Sequence, residues 1–201
     1  YGFRARTGCE AGSSVQQLRI ATRPRAATRA TLIPRADLPG LRLPLPVDDE
    51  LFNSSLSAAR EAAGPDYRLV RWTGRTPAAW VAGIAMLHQR MSTDAPWAGM
   101  EFTEEKWDEN RVRALDDTRD ASPRTMLVVG VEHVPTGTLA GFTELYVPPE
   151  VDRPVDQQDT LVLKEHRGHR LGMLLKLANL EYLAQTHPGH PAVMTFNAEE
   201  N

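Results

Sequence analysis

Residues 161–172 read Leu-Val-Leu-Lys-Glu-His-Arg-Gly-His-Arg-Leu-Gly, a short apolar run entering a turn with two glycines, two arginines and two histidines. A helix follows, because Leu171, Leu174, Leu175, Ala178 and Tyr182 recur at i, i+3, i+4, i+7 and i+11. Where a strand turns directly into a helix, the first helical N–H groups have no internal acceptor. Glycine admits a ligand close to the backbone and arginine adds positive charge. Arg167, Gly168, His169, Arg170, Leu171 and Gly172 therefore suit capture of a phosphate or diphosphate. No Gly-Lys-[Ser/Thr] closes the turn and no Gly-x-Gly-x-x-Gly is present, so neither the ATP loop nor the dinucleotide fingerprint applies. The same pattern also serves as plain strand-to-helix packing.

Other reactive residues are sparse. His166-x-x-His169 and His187-x-x-His190 have metal-ligand spacing, but the first pair lies in the phosphate turn and the second flanks Pro188-Gly189. Neither has a third carboxylate at helical spacing, so both read as loop histidines and no metal is expected. Cys9, the single cysteine, allows no intrachain disulfide and is a weak nucleophile candidate in an N-terminal extension. A reducing, cytoplasmic compartment is expected.

The elements that must position the turn come next. Asp48 is placed to N-cap a helix that stops at Gly64-Pro65, and Tyr67 to Trp72 alternates as a strand. Thr76-Pro77 starts a helix carrying Trp80, Ile84, Leu87 and Met91, and a second helix is expected from Thr103, with Glu104 and Glu105 in its first turn. Arg124 to Glu132 and Thr138 to Val147 form an antiparallel hairpin, a polar loop runs from Pro148 to Gln158, and Asp159 to Leu163 is a buried strand. Ala192 to Phe196 is a last strand, parallel or nearly so to the one before the helix. The fold class is α/β with a mixed sheet flanked by helices.

Residues 1–46 carry eight arginines against Glu10 and Asp37. Prolines at 24, 34, 39, 44 and 46 argue against helix or central strand, so 21–46 reads as a Pro/Arg-rich linker. Residues 1–20 read either as two short strands or as a basic arm, and 47–201 as the folded domain. At 201 residues the chain holds one domain plus some extra length. A net charge of −3 excludes an overall nucleic-acid or anionic-lipid footprint, and a mean hydropathy of −0.39 with only strand-sized apolar runs excludes a spanning helix. No nucleic acid and no membrane are expected as partners; a small molecule or a protein is. Twenty arginines against three lysines, with abundant alanine, suggest a bacterial, GC-rich coding bias.

Arg167-Gly168-His169-Arg170-Leu171-Gly172 resembles the [Gln/Arg]-x-x-Gly-x-[Gly/Ala] motif of the GNAT N-acetyltransferase superfamily, which binds acetyl-CoA. Thr160-Leu161-Val162 before it and Leu174-Leu175-Lys176 after it look like the rest of GNAT motif A, and residues 195–201 like the start of motif B. The likeness covers about residues 66–201. It departs from the pattern at Arg170, where the family has its middle glycine. The resemblance implies that main-chain groups of Leu161 and Leu163, on the strand through Val162, hold the pantetheine arm of acetyl-CoA. The amides of Gly168 to Gly172 would hold the pyrophosphate with help from Arg167 and Arg170, and Asn197 would touch pantetheine near the thioester. It also implies direct attack by a neutral primary amine of a small molecule, with no acyl-enzyme. Glu144 and Asp159 are the candidate bases, and Asp94 or Glu101 would pair with a cationic amine. The family's acid, a Tyr on the helix after Asn201, has no counterpart. The closing strands are expected to be missing or supplied from elsewhere: the chain reads as an internal piece of a tandem GNAT protein, partnered by a second repeat or by another copy in a homodimer. The second reading is a catalytically inert module that binds CoA or scaffolds a partner.

Overall fold

A computed structural model describes residues 31–35, 38–94 and 105–196. Asp48 caps α1 (Asp49–Ala63), accepting from the Leu51 N–H at 2.9 Å, as its position before Asp49 and Glu50 predicts. Alternating residues then form β3 (Tyr67–Thr73). Pro77 opens a single 3-10 turn at Ala78–Trp80 that leads into α2 (Val81–Asp94). The next helix, α3, spans Glu109–Asp120 behind an Asp108 cap that accepts from Arg111 N–H at 2.8 Å. It therefore starts later than Thr103: the Asp108 side chain satisfies an N-terminal donor that Glu105 does not. Glu105 instead accepts from the Trp107 indole and from Arg111.

The strands β4 (Thr125–His133) and β5 (Thr138–Val147) make the expected hairpin, and β6 runs Val155–Val162, starting four residues before Asp159. A 3-10 turn at Lys164–His166 leads into α4 (Leu171–Thr186), and β7 (Ala192–Phe196) follows. Two further strands, β1 (Thr31–Arg35) and β2 (Leu38–Pro44), occupy sequence read as linker. The prolines sit where a strand tolerates them: Pro34 and Pro39 face each other beside the hairpin connection, and Pro44 is the last residue of its strand. Between them, Gly40 to Pro44 pairs antiparallel with β7.

The sheet runs β1-β2-β7-β6-β5-β4-β3. Each pairing is antiparallel except β6 with β7. Leucines and alanines of α1 and α4 cover one face over Val129, Val131, Ala140 and Val162. Residues of α2 and α3 cover the other over Val128, Phe142, Leu161 and Leu163. A β-strand's two-residue period sends Leu161 and Val162 to opposite cores. Among the described residues no helix is long and apolar enough to cross a membrane.

Candidate functional site

The parallel strands β6 and β7 pair only at Val155 with Val193 and Asp156 with Met194. Among the described residues β6 then runs on to Val162 while Thr195 and Phe196 of β7 pair with β2 instead, so the parallel pair diverges and a crevice opens at its carboxyl end, beside the start of α4. Leu174 N–H to Arg170 C=O, at 3.0 Å, is the first bond of α4, which leaves the N–H groups of Leu171, Gly172 and Met173 without helical acceptors. The Arg170 side chain supplies no cap. Gly168 has φ 92°, and a Cβ there would meet nothing within 4 Å, so the turn is open to a ligand. Arg170 is the one non-glycine residue with positive φ among the described residues, at 54°. The turn needs a left-handed residue where the family keeps glycine, and arginine here bears that strain. Gly168, His169 and Arg170 are exposed. Unpaired N–H groups, two arginines and solvent access make the turn chemically suited to an anion such as a diphosphate.

The strand edge is one residue out of phase with expectation. Leu163 N–H donates to Ala140 C=O at 3.0 Å and its carbonyl accepts from His166 N–H at 2.9 Å. Leu161, two residues earlier, also faces β5, its carbonyl only 2.6 Å from where a Gly141 Cβ would stand. The backbones of Leu161 and Leu163 are thus committed to the protein, a correction to the reading that opened them to pantetheine. By the same alternation, Val162 and Thr160 turn their main-chain groups to the side that β7 has left.

The two candidate carboxylates differ. Glu144 is 1% exposed, and both its oxygens accept from Arg119, Oε1 from Nη1 at 3.1 Å and Oε2 from Nη2 at 2.8 Å. Burial pushes its carboxyl up to about 7, opposed by Arg119 and reinforced by Asp159. Asp159 is reached differently. The ladder pairs Thr143 with Thr160 and Leu145 with Gln157, so Gln158 and Asp159 together oppose Glu144 in a bulge. The Asp159 side chain stays open to solvent. The protein mass around it still raises its carboxyl, with Arg119 opposing. Solvent contact argues against converting that shift into stability.

Three features of this region went unread in the sequence. His88, 7% exposed, stacks on Trp107 with ring centroids 4.3 Å apart and meets Phe142 edge-on at 5.2 Å. Burial first, then Arg119 and Arg111, lowers it to about 4, so it is neutral. Its place four residues after Ile84 and seven after Val81 was the available signal. Lys176, 8% exposed on α4, is lowered to about 8 by burial. Arg119, in the last turn of α3, looks in sequence like any helix-end arginine. Around the turn, His166 Nδ1 shares a 3.0 Å hydrogen bond with the Tyr67 hydroxyl, and the His133 and His169 rings pack on the same tyrosine. Among the described residues no three His, Cys, Asp or Glu side chains gather as a metal site. Cys9, Asn197 and Glu101 lie outside the described residues, and of Asp94 only its backbone place at the end of α2 is described.

No family model matches the sequence, and no curated protein matches it significantly. Among solved structures, a tandem GNAT protein from the clavulanic acid biosynthesis pathway, solved without acetyl-CoA, is 32% identical with a TM-score of 0.61. The match covers 83% of this chain and 47% of that one, so the chain spans about half the length of the tandem protein. A Trypanosoma brucei acetyltransferase matches at 18% identity and TM-score 0.48, over 66% of this chain and 85% of its own. Glucosamine-6-phosphate N-acetyltransferase from Arabidopsis thaliana matches at 12% and 0.48, over 67% and 84%. The motif turn, the diverging parallel strands and the 32% identity to a tandem GNAT protein together make this chain a member of the GNAT superfamily.

Proposed function

We propose that the chain is an acetyl-CoA-dependent N-acetyltransferase domain that moves an acetyl group onto the primary amine of a small molecule by direct attack on the thioester. The observation that carries this reading is the crevice between β6 and β7, whose mouth holds the unpaired N–H groups at the start of α4. Those amides, from Gly168 to Gly172, are suited to the diphosphate, with Arg170 beside them. The main-chain groups of Val162 and Thr160 would pair with the pantetheine arm in place of a β7 partner.

An amine attacks only when neutral, so the site needs a proton acceptor near the thioester. Asp159 fits that role better than Glu144: it reaches solvent and has a raised affinity for protons, whereas Arg119 occupies both Glu144 oxygens. Glu144 then serves to hold Arg119 in place. Asn197, Asp94 and Glu101 keep the contacts the resemblance implies for them. The alternative, a non-catalytic module that binds CoA, is favoured by the one specific fact that a bidentate arginine ties up one of the two bases. A second GNAT repeat, with residues 1–20 as closing strands of a preceding one, and a cytoplasmic setting complete the proposal. It is supported by the tandem architecture of the 32% identical protein.

Calorimetric titration with CoA tests the pocket, and CoA thiol release with a panel of amines separates enzyme from binder. Gly172→Asp sets a carboxylate against the diphosphate and is expected to weaken CoA at least about tenfold. Unchanged affinity in that variant would refute the pocket assignment.

A further inference from the structure

Arg167 is the first residue of the motif, and its backbone is extended at φ −75°, ψ 163°, with its N–H on Lys164 C=O at 3.3 Å. Its side chain folds back along β6. Nε donates to the Val162 carbonyl at 3.4 Å, and Nη2 is buried without a hydrogen-bond partner. Val162 is the residue whose main chain faces the crevice, because Leu161 and Leu163 face β5. The guanidinium therefore lies on the carbonyl that an entering amide donor would need. It also keeps a buried donor unsatisfied a few residues from a turn suited to a dianion. A guanidinium carries five donors in one plane, matches phosphate oxygens bidentately and is charged at every relevant pH.

Resting on the reading that this crevice takes CoA, we propose that Arg167 competes with the pantetheine arm for the Val162 carbonyl and is drawn off it by the diphosphate. The two halves of the ligand then act on one side chain in opposite senses. The pantetheine half must displace the guanidinium, and the diphosphate half receives it. Arg167 becomes a specificity-determining residue that penalises pantetheine-bearing molecules lacking a diphosphate and favours those that carry one. The unpartnered Nη2 is what makes the transfer favourable, since a phosphate oxygen satisfies a donor that the protein leaves unpaired.

The test compares CoA, dephospho-CoA and pantetheine by calorimetry on the full chain and on Arg167→Met and Arg167→Lys, with thermal melts to confirm that each variant is folded. In Arg167→Met, CoA and dephospho-CoA affinity should fall about tenfold, as expected for one lost charged hydrogen bond, while pantetheine affinity rises severalfold. Arg167→Lys keeps the charge but lacks the Nε donor. It should hold CoA within about threefold of the parent and still bind pantetheine more tightly. The lysine variant also serves if the methionine variant fails to fold. Affinities for CoA and pantetheine that fall together, or that both stay unchanged, would overturn the competition. A parent chain that binds none of the three ligands overturns the CoA reading itself, a result separable from the first.

Discussion

At the scale of single residues, the chemistry centres on side chains taken out of water. His88, stacked on Trp107 and edge-on to Phe142, is held neutral well below the ordinary histidine range. The unfolded chain binds a proton between pH 6.5 and about 4 where the folded chain does not, so the stabilisation is complete above pH 6.5 and is lost as pH falls toward 4. The loss is about 3 kcal/mol over that window. Urea unfolding at pH 7, 5.5 and 4.5 should show this slope in the parent and a clearly smaller one in His88→Phe. The Arg119–Glu144 pair answers to a different rule, because removing one partner strands the other charge. Glu144→Gln should cost about 3–5 kcal/mol, read from chemical denaturation. A cost below about 1 kcal/mol would mean that Arg119 finds another partner.

At the scale of elements, the turn between β6 and α4 depends on a left-handed residue at position 170. Arg170→Gly removes the Cβ that makes this conformation costly, and the flexibility it adds to the unfolded chain offsets part of the gain. Stability is expected to rise by up to about 1 kcal/mol, while CoA affinity falls severalfold because the guanidinium beside the diphosphate is lost. A destabilised variant would show that Arg170's side chain holds the turn. That a strand, a basic turn and a helix stand between 159 and 186 was legible from apolar spacing alone, whereas the first four residues of β6, polar apart from Val155, read as loop. The bulge that aims Asp159 was not, since a bulge is a property of two strands and Glu144 lies fourteen residues or more from its partners in β6.

At the scale of the whole molecule, β2 closes the sheet beside β7, the place where strands were expected to be missing. Leu43, 8% exposed, packs with Leu180, Leu183 and Val193 and so joins the hairpin to α4. Leu43→Ala should destabilise by about 2–5 kcal/mol. It should also raise amide exchange in β7, measured by mass spectrometry. If β7 protection is unaffected, β2 does not support that strand. The proline spacing of 34, 39 and 44 hid this pairing, because proline forbids only certain strand positions and the sequence does not say which side of a strand is bonded.

Local spacing by itself determined the α1 cap, the β4–β5 hairpin, the presence of α4 and the glycine- and arginine-bearing turn before it, since each depends on residues within a few positions of one another; that α4 is buried nearly all round rather than on one face was set by packing. Tertiary structure alone decided which main-chain groups of β6 face the crevice, where Arg119 and Arg167 point, and that residues 31–35 and 38–44 join the sheet beside β7. A one-residue change of phase exchanges Leu161 and Leu163 for Val162 at the open edge. Only pairing with a distant strand sets that phase.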